Sequence, residues 1–380
     1  MTALAGLRIL DLSRLLPGPF CTQLLADLGA DVIKIEEPTI GDPARHARPL
    51  QDGTGALFLL VNRNKRSVSL NLKAPAGRDV LLRLVDTADV LLDSFRPGVL
   101  DRLGLGFDVL SARNPRLVHA TLSGFGQHGP YRARPAHDLN YVALAGLLGY
   151  NVDRDGAPVV PAAQVADLGG GTLGAVAILA AIVARQATGR GQFVDVSLYG
   201  AAVSWLPALL GPLFATDRAP APGEPTLVGG LAQYDVYRTA DGEYVTLGAL
   251  EPKFLIAFLD AVGRPELADV RDAARLRTEL QAVFAQRTRA QWTADLADVD
   301  TCFAPVNTLA EAICDPQAAA LGLFPTLDGL PQIGVPMYFS ETPSQLRRRP
   351  PRLGEHTAEV LAELGLNAAE VDALVAQGVC

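Results

Sequence analysis

The sequence predicts an α/β protein with a doubly wound sheet and a second, smaller α+β domain. Short apolar runs of strand character alternate with segments of helical period through the first third of the chain. A length of 380 residues exceeds the size at which a single hydrophobic core usually stops growing, so two domains are expected. With 49% hydrophobic and 19% charged residues, the chain can fill both cores and is not expected to be disordered.

The opening segment predicts a β-α-β unit. Residues 7–12 form a short apolar run, residues 17–28 carry apolar side chains at helical spacing, and residues 31–35 return to strand character. Two strands joined in this way favour parallel pairing with a right-handed crossover. The turn at residues 13–19 lacks the three spaced glycines of a dinucleotide-binding fingerprint, which disfavours a nicotinamide dehydrogenase.

The same alternation continues along the next hundred residues. Strand-like segments at 67–72, 89–94 and 117–123 accompany a helical segment at 76–86. The apolar segment 172–184 predicts a buried helix. Its most hydrophobic part is too short to cross a bilayer, so no membrane association is expected.

The second half of the chain predicts the smaller α+β domain. Residues 234–238 and 243–247 alternate around a turn, as in a hairpin, and residues 252–262 and 276–296 have helical period. The expected division is residues 1–200 with 330–380 as the large domain, 225–315 as the small domain, and linkers at 201–224 and 316–329. Helical patches near the C-terminus are expected to pack back onto the large domain.

Composition limits the partners of the chain. A net charge of −8 disfavours nucleic acid as a partner, although a local basic pocket could still bind a phosphorylated ligand. The N-terminus has no secretory pattern, and the four cysteines are scattered without ligand spacing. These features predict a cytoplasmic protein with reduced thiols and no metal site.

Asp167 is the first candidate catalytic residue. It precedes Gly169, Gly170 and Gly171 at the entrance of the apolar helix, where the absence of side chains would let a ligand approach the backbone. The ordinary alternative for an aspartate at this position is a helix N-cap.

His137 and Glu251 are the next candidates. His137 precedes an apolar helical segment, and an imidazole in a pocket suits proton transfer near neutral pH. Glu251 ends a strand-like run before Pro252, where acids commonly occupy the first turn of a helix. Capping or surface roles are the alternatives for both residues.

Basic residues are the candidates for binding phosphate groups. Arg63, Lys65 and Arg66 precede a predicted strand and could clamp a phosphate, or could simply form a solvated edge. Arg96 follows the strand-like segment 89–94, and ligands of open α/β sheets bind at the carboxyl ends of strands.

Seven further sets of residues form motifs that follow one another along the chain: 4–12 with 17–19, 27–34, 62–72, 95–104, 123–126, 188–192 and 354–357. Together they resemble the motifs of the family III coenzyme A transferases, in the expected order and over nearly the whole chain.

The resemblance implies a Rossmann-like, coenzyme A-binding large domain and an interlocked homodimer. It implies that coenzyme A enters as part of an acyl-CoA substrate, without a prosthetic group. Asp167 corresponds to an aspartate that forms covalent intermediates in the transferases and shuttles protons in the related alpha-methylacyl-CoA racemases. Gly169 and Gly170 are then candidates to contact the thioester, with backbone amides of the glycine loop facing the enolate oxygen.

Three segments favour the racemase branch. Residues 137–141 resemble the motif of the second acid/base, and residues 165–171 resemble the racemase form of the aspartate loop. Residues 237–242 with 248–254 resemble the small-domain segment whose glutamate pairs with the histidine across the dimer. Residues 58–66 are closer to transferases, and Glu37 stands where many relatives have a coenzyme-binding arginine. A CoA-transferase is therefore the alternative, and a non-catalytic coenzyme A-binding protein is a further one.

Overall fold

The computed structural model describes all residues from Met1 to Cys380, which form two compact units. The larger unit contains Met1–Leu147, Pro161–Trp205 and Gln317–Cys380. The smaller unit contains Leu148–Val160 and Leu206–Pro316. The segment Leu148–Val160, expected within the large domain, thus belongs to the smaller unit.

A six-stranded parallel sheet forms the centre of the larger unit, with the order β3-β2-β1-β4-β5-β6. Its strands are β1 (Arg8–Leu12), β2 (Asp31–Glu36), β3 (Lys65–Ser69), β4 (Val90–Asp93), β5 (Val118–Ser123) and β6 (Phe193–Ser197). The strand order reverses direction between β1 and β4. In open parallel sheets, ligands bind at the carboxyl ends of the two strands that flank such a reversal.

Helices from both the N-terminal and the C-terminal parts of the chain belong to the same unit as this sheet. They are α1 (Pro17–Asp27), α2 (Ala56–Val61), α3 (Pro75–Val85), α4 (Val99–Arg102), α5 (Phe107–Arg113), α6 (Asp138–Leu144), α7 (Val165–Thr188), α8 (Leu198–Ser204), α15 (Thr357–Glu363) and α16 (Ala368–Ala376). Val360 and Leu361 of α15 are fully buried in one cluster with Leu10, Ile33 and Leu91 of the sheet. This packing confirms that the C-terminal segment returns to the larger unit.

The smaller unit has an antiparallel sheet of β7 (Tyr234–Arg238), β8 (Tyr244–Gly248) and β9 (Phe303–Pro305), with β8 in the middle. Its helices are α9 (Pro207–Thr216), α10 (Pro252–Ala261), α11 (Ala273–Phe284), α12 (Arg289–Asp295) and α13 (Leu309–Ile313), and α14 (Pro316–Ala320) follows at the boundary. Phe284 centres the core, where its ring stacks on Tyr237 and Phe258 at centroid distances of 5.0 and 5.2 Å.

Several predicted boundaries were wrong for identifiable reasons. The helical pattern at 276–296 divides into two helices because Thr288 caps α12, its side chain accepting from the Gln291 amide. Residues 201–224, expected as a linker, contain part of α8 and all of α9. The linker expected at 316–329 likewise contains α14 and the short strand Thr326–Leu327. β6 was not predicted.

The helix α7 is longer than predicted. The helix has 24 residues, and an 18-residue window within it has a mean hydropathy of 1.8, so the expectation that no apolar segment is long enough to cross a bilayer was wrong by length and composition. The close packing of this helix within the larger unit favours a core helix. A Cβ atom on Gly171 would lie 2.7 Å from the Pro17 carbonyl oxygen of α1, so the two helices approach closely at this glycine.

Candidate active site

A cavity of about 560 Å³ opens where the strand order reverses. Arg14 and Leu15, which follow β1, form one wall, and Phe95 and Arg96, which follow β4, form another. Asp167 of α7 lines the same cavity. The fold therefore places the first candidate residue where a parallel sheet of this order binds its ligands.

Asp167 is the third residue of α7 but does not cap it. The Asp138 carboxylate instead accepts the amide hydrogens of Ala166 and Asp167, at 2.8 and 3.0 Å. The start of α7 is thus satisfied without the Asp167 side chain, and the N-cap alternative for this residue is excluded.

The environment of Asp167 favours its protonated form. Burial, and then the negative charge of Asp138, raises the pKa of the Asp167 carboxyl to about 7. A carboxyl group with such a pKa can both accept and donate a proton near neutral pH. Perturbed groups of this kind are concentrated in functional sites.

Tyr141 packs beside Asp167. Its hydroxyl donates to the Ala136 carbonyl at 3.0 Å. Burial, and then the negative charge of Asp167, raises the pKa of Tyr141 to about 12, so the phenol stays neutral. A Cβ on Gly124 would lie 2.4 Å from this hydroxyl, which explains a glycine at position 124.

His137 lies on the same cavity as Asp167. It occupies the residue before α6, and its amide donates to the Asn140 side chain at 3.0 Å. The side chain is exposed toward the cavity that Asp167 lines. The structure therefore brings together the two residues that the sequence selected as acid/base candidates.

Glu251 belongs to the smaller unit. It precedes α10, is exposed, and makes no capping hydrogen bond with its side chain. The carboxylate is free for another interaction, and its predicted pairing with His137 of a partner subunit stays a prediction.

The predicted phosphate clamp was wrong. Arg63, Lys65 and Arg66 are buried, with only 2%, 0% and 6% of each residue exposed. Each cation forms an ion pair inside the larger unit, Arg63 with Asp27 at 2.6 Å, Lys65 with Asp11 at 3.0 Å and Arg66 with Asp31 at 2.6 Å. If these cations turned away from their partners to bind a phosphate, the partner carboxylates would be left unpaired, which is unfavourable for a buried charge.

The predicted role of the glycines was also wrong. Gly169, Gly170 and Gly171 lie inside α7, where backbone amides are committed to carbonyls four residues earlier. A Cβ on Gly169 would lie 2.4 Å from the Trp205 ring nitrogen, and one on Gly170 would lie 2.4 Å from Leu198. These glycines permit close packing of the chain on itself and offer no free amide to a ligand.

Arg96 keeps its predicted place, and three further arginines accompany it. Arg14, Arg132 and Arg134 are exposed and line the same cavity. A second cavity of about 680 Å³ shares Arg96 and Arg132 with the first. Arg14 follows β1 just as Arg96 follows β4, so the rule that selected Arg96 could also have selected Arg14.

A perturbed carboxyl group in a basic cavity, at the reversal of a parallel sheet, is the arrangement of an enzyme active site. The profile described as CoA-transferase family III matches residues 4–357. The chain belongs to this family.

Named relatives divide between two reactions. An acyl-CoA transferase of Fusarium pseudograminearum is 36% identical, over 96% of this chain and 86% of its own length. The alpha-methylacyl-CoA racemase of Homo sapiens is 35% identical, over 97% of this chain and 95% of its own. A CAIB/BAIF family protein from Brucella suis has a similar crystal structure, with a TM-score of 0.85, 32% identity and coverage of 96% and 99%.

Proposed function

We propose that the protein epimerises the α carbon of 2-methylacyl-CoA thioesters by transferring protons between Asp167, His137 and the substrate. The observation that carries this proposal is that both side chains line one cavity, and that Asp167 has a pKa of about 7. Similarity to an alpha-methylacyl-CoA racemase supports it. Coenzyme A is part of the substrate.

Each side chain would serve one face of the α carbon. The thioester carbonyl acidifies the α C–H bond, and one group removes this proton while the other donates a proton to the opposite face. Whichever group acts as the base ends protonated, and the reverse reaction exchanges the roles. Because Asp167 can hold or release a proton near neutral pH, it suits both directions.

The arginines around the cavity supply the charge that the substrate requires. Coenzyme A carries phosphate groups, and Arg14, Arg96, Arg132 and Arg134 are exposed there. We place the phosphates along these residues and the acyl end beside Asp167. The order of the six parallel strands, which places this cavity at their reversal, supports a Rossmann-like description of the unit.

The proposed active enzyme is a cytoplasmic homodimer in which the partner's Glu251 orients His137. Support comes from the family resemblance and from the free, exposed carboxylate of Glu251 in each chain. A carboxylate beside a histidine fixes the orientation of its ring.

Deuterium uptake tests the racemase proposal. One epimer of a 2-methylacyl-CoA is incubated in D₂O, and the product is analysed by mass spectrometry and chiral chromatography. We expect inversion with uptake of one deuterium, and a loss of about 10²–10⁴-fold in rate for His137→Ala. If several acyl chains are tested and none shows deuterium uptake or inversion, the proposal is contradicted.

The alternative function is transfer of coenzyme A from an acyl-CoA to a carboxylic acid. Similarity to the acyl-CoA transferase supports it, as does the Asp167 carboxylate, which accepts no hydrogen bond from the chain and so has lone pairs free for attack. Asp167 would attack the thioester carbonyl and expel the coenzyme A thiolate, forming a mixed anhydride. The thiolate would then attack the Asp167 carbonyl, releasing the first acid and leaving an enzyme thioester that passes coenzyme A to the second acid.

Hydroxylamine distinguishes the two reactions. In a transferase, it should convert Asp167 to an aspartyl hydroxamate in the presence of an acyl-CoA, and His137→Ala should change turnover little. A racemase should form no hydroxamate. A third possibility, a non-catalytic coenzyme A-binding protein, predicts binding without either reaction.

A further inference from the structure

Four charged side chains are buried together beneath the turn that follows β1. Asp11, Lys34 and Lys65 are each 0% exposed and Asp42 is 1% exposed. Lys65 pairs with Asp11 at 3.0 Å, and Lys34 pairs with Asp42 at 2.9 Å. None of these four side chains lines the cavity of Asp167.

Lys34 and Asp11 stay charged despite their burial. Burial alone would lower the pKa of the Lys34 ammonium, but the carboxylates of Asp11, Asp42 and Glu36 raise it above its usual value. Burial likewise opposes ionisation of Asp11, but Lys65 and Lys34 hold the pKa of this carboxyl below its usual range. Buried ion pairs contribute little to stability compared with apolar packing of similar volume.

These charges hold the backbone of the turn. The Lys34 ammonium donates to the Ser13 carbonyl at 2.8 Å. The amide of Ser13 donates to Asp11 at 2.9 Å, and the amide of Leu15 donates to Asp42 at 3.0 Å. Three consecutive peptide groups, from Leu12–Ser13 to Arg14–Leu15, therefore each form a hydrogen bond with one of the buried charged side chains.

Leu15 has an unfavourable backbone conformation. Its φ angle is +67°, in the left-handed region that a leucine rarely adopts. Such a conformation persists only where surrounding contacts impose it. Asp42 supplies that contact, because its carboxylate accepts the Leu15 amide.

Two residues of the same turn form part of the wall of the cavity that contains Asp167. Arg14 and Leu15 are exposed and line it with Asp167. The Arg14 guanidinium lies over the Phe95 ring, 5.2 Å from its centre, which joins the turn after β1 to the loop after β4.

We propose that Asp42 and Lys34 are positioning residues for substrate binding, which hold the turn of Ser13, Arg14 and Leu15 in the form that makes the cavity wall. This role rests on the proposed function, since the wall is assigned to acyl-CoA. The wall contacts substrate and transition state alike. Loss of its shape therefore raises KM and leaves kcat nearly unchanged.

Variants at Asp42 separate the hydrogen bond from the charge. Asp42→Ala removes the acceptor of the Leu15 amide, and we expect KM for the acyl-CoA to rise about tenfold with kcat within about twofold of the original enzyme. Asp42→Asn keeps an oxygen acceptor while losing the charge, and we expect a KM within about twofold of the original, with a lower melting temperature. A KM for Asp42→Asn as high as that of Asp42→Ala would overturn the assignment.

Asp27→Ala is the matched control. Asp27 is also buried and pairs with Arg63 at 2.6 Å, but neither residue lines the cavity. We expect this variant to lose stability and keep its KM. Equal KM values for Asp42→Ala, Asp27→Ala and the original enzyme would show that the Asp42 pair only stabilises the fold.

A variant of the exposed turn keeps the test decisive if Asp42→Ala does not fold. Leu15→Pro removes the amide donor and forbids a positive φ, without altering the buried charges. Its KM should rise as in Asp42→Ala, and an unchanged KM would contradict the inference. If the original enzyme acts on no acyl-CoA, the proposed function fails; if it is active and these KM values do not change, only this inference fails.

Discussion

At the scale of single residues, the chemistry depends on how two aspartates share the start of α7. Asp138 accepts the amides of Ala166 and Asp167, which leaves the Asp167 carboxyl without a structural role. The same proximity, together with burial, raises the pKa of Asp167 to about 7. One carboxylate thus completes the helix and tunes the other for proton transfer or attack on a thioester.

The raised pKa of Asp167 predicts a pH-dependent cost to stability. A carboxyl with a higher pKa in the folded state stabilises the fold at pH values below its unfolded pKa, near 4, and this stabilisation is lost as pH rises through about 7. Between pH 5 and pH 8, the enzyme should lose on the order of 2 kcal/mol of unfolding free energy relative to Asp167→Asn. Urea denaturation of both proteins at the two pH values measures this difference. A difference that is the same at both values would contradict the raised pKa.

Local sequence patterns indicated which residues line the cavity better than they indicated which charged residues pair with each other. Asp167, His137 and Arg96 were selected from local motifs, and all three line one cavity. The clamp of Arg63, Lys65 and Arg66 was wrong because the carboxylates that neutralise Arg63 and Lys65 lie 36 and 54 positions away along the chain. Local patterns do not reveal which distant charges a fold will bring together.

At the scale of elements, α7 links the site to the core. Its glycines allow close approach to α1, to α8 and to Trp205, and its first turn carries Asp167. The sequence pattern predicted a helix here, but the prediction that its glycines form a loop that contacts the ligand was wrong. A glycine-rich start is compatible with both structures, and only the neighbouring elements distinguish them.

Gly171→Ala tests this packing by the sign of its effect. Alanine normally stabilises the interior of a helix relative to glycine by about 0.5–1 kcal/mol. Here its Cβ would lie 2.7 Å from the Pro17 carbonyl oxygen, so we expect a loss of about 1–3 kcal/mol in unfolding free energy. Thr172→Ala, on the exposed side of the same helix, should change it by less than about 0.5 kcal/mol. A more stable Gly171→Ala variant, measured by urea denaturation, would show that α1 is not in close contact.

At the scale of the whole molecule, the two units carry different parts of the proposed site. Asp167 and His137 belong to the larger unit and Glu251 to the smaller one. The length of the chain led us to expect two units. Which segments belong to each unit, such as Leu148–Val160 in the smaller one, depends on contacts between residues far apart in the sequence, which local patterns do not show. The proposed homodimer would unite Glu251 of one chain with His137 of the other.

Complementation between inactive variants tests that assignment. His137→Ala and Glu251→Ala chains, each of low activity alone, are co-expressed with different tags, and the mixed dimer is isolated. If Glu251 acts on the partner's histidine, one of the two sites is intact, and about half of the original activity should return. If each glutamate serves its own chain, both sites carry a defect and the mixed dimer stays inactive.

The central claim is that the Asp167 carboxyl reacts with the substrate, and Asp167→Asn tests it most directly. We expect this variant to bind acyl-CoA while turnover, by deuterium exchange or by coenzyme A transfer, falls about 10²–10⁴-fold. Asp108→Asn, at an exposed aspartate of α5, serves as the control and should keep full turnover. Full turnover by Asp167→Asn would contradict the account.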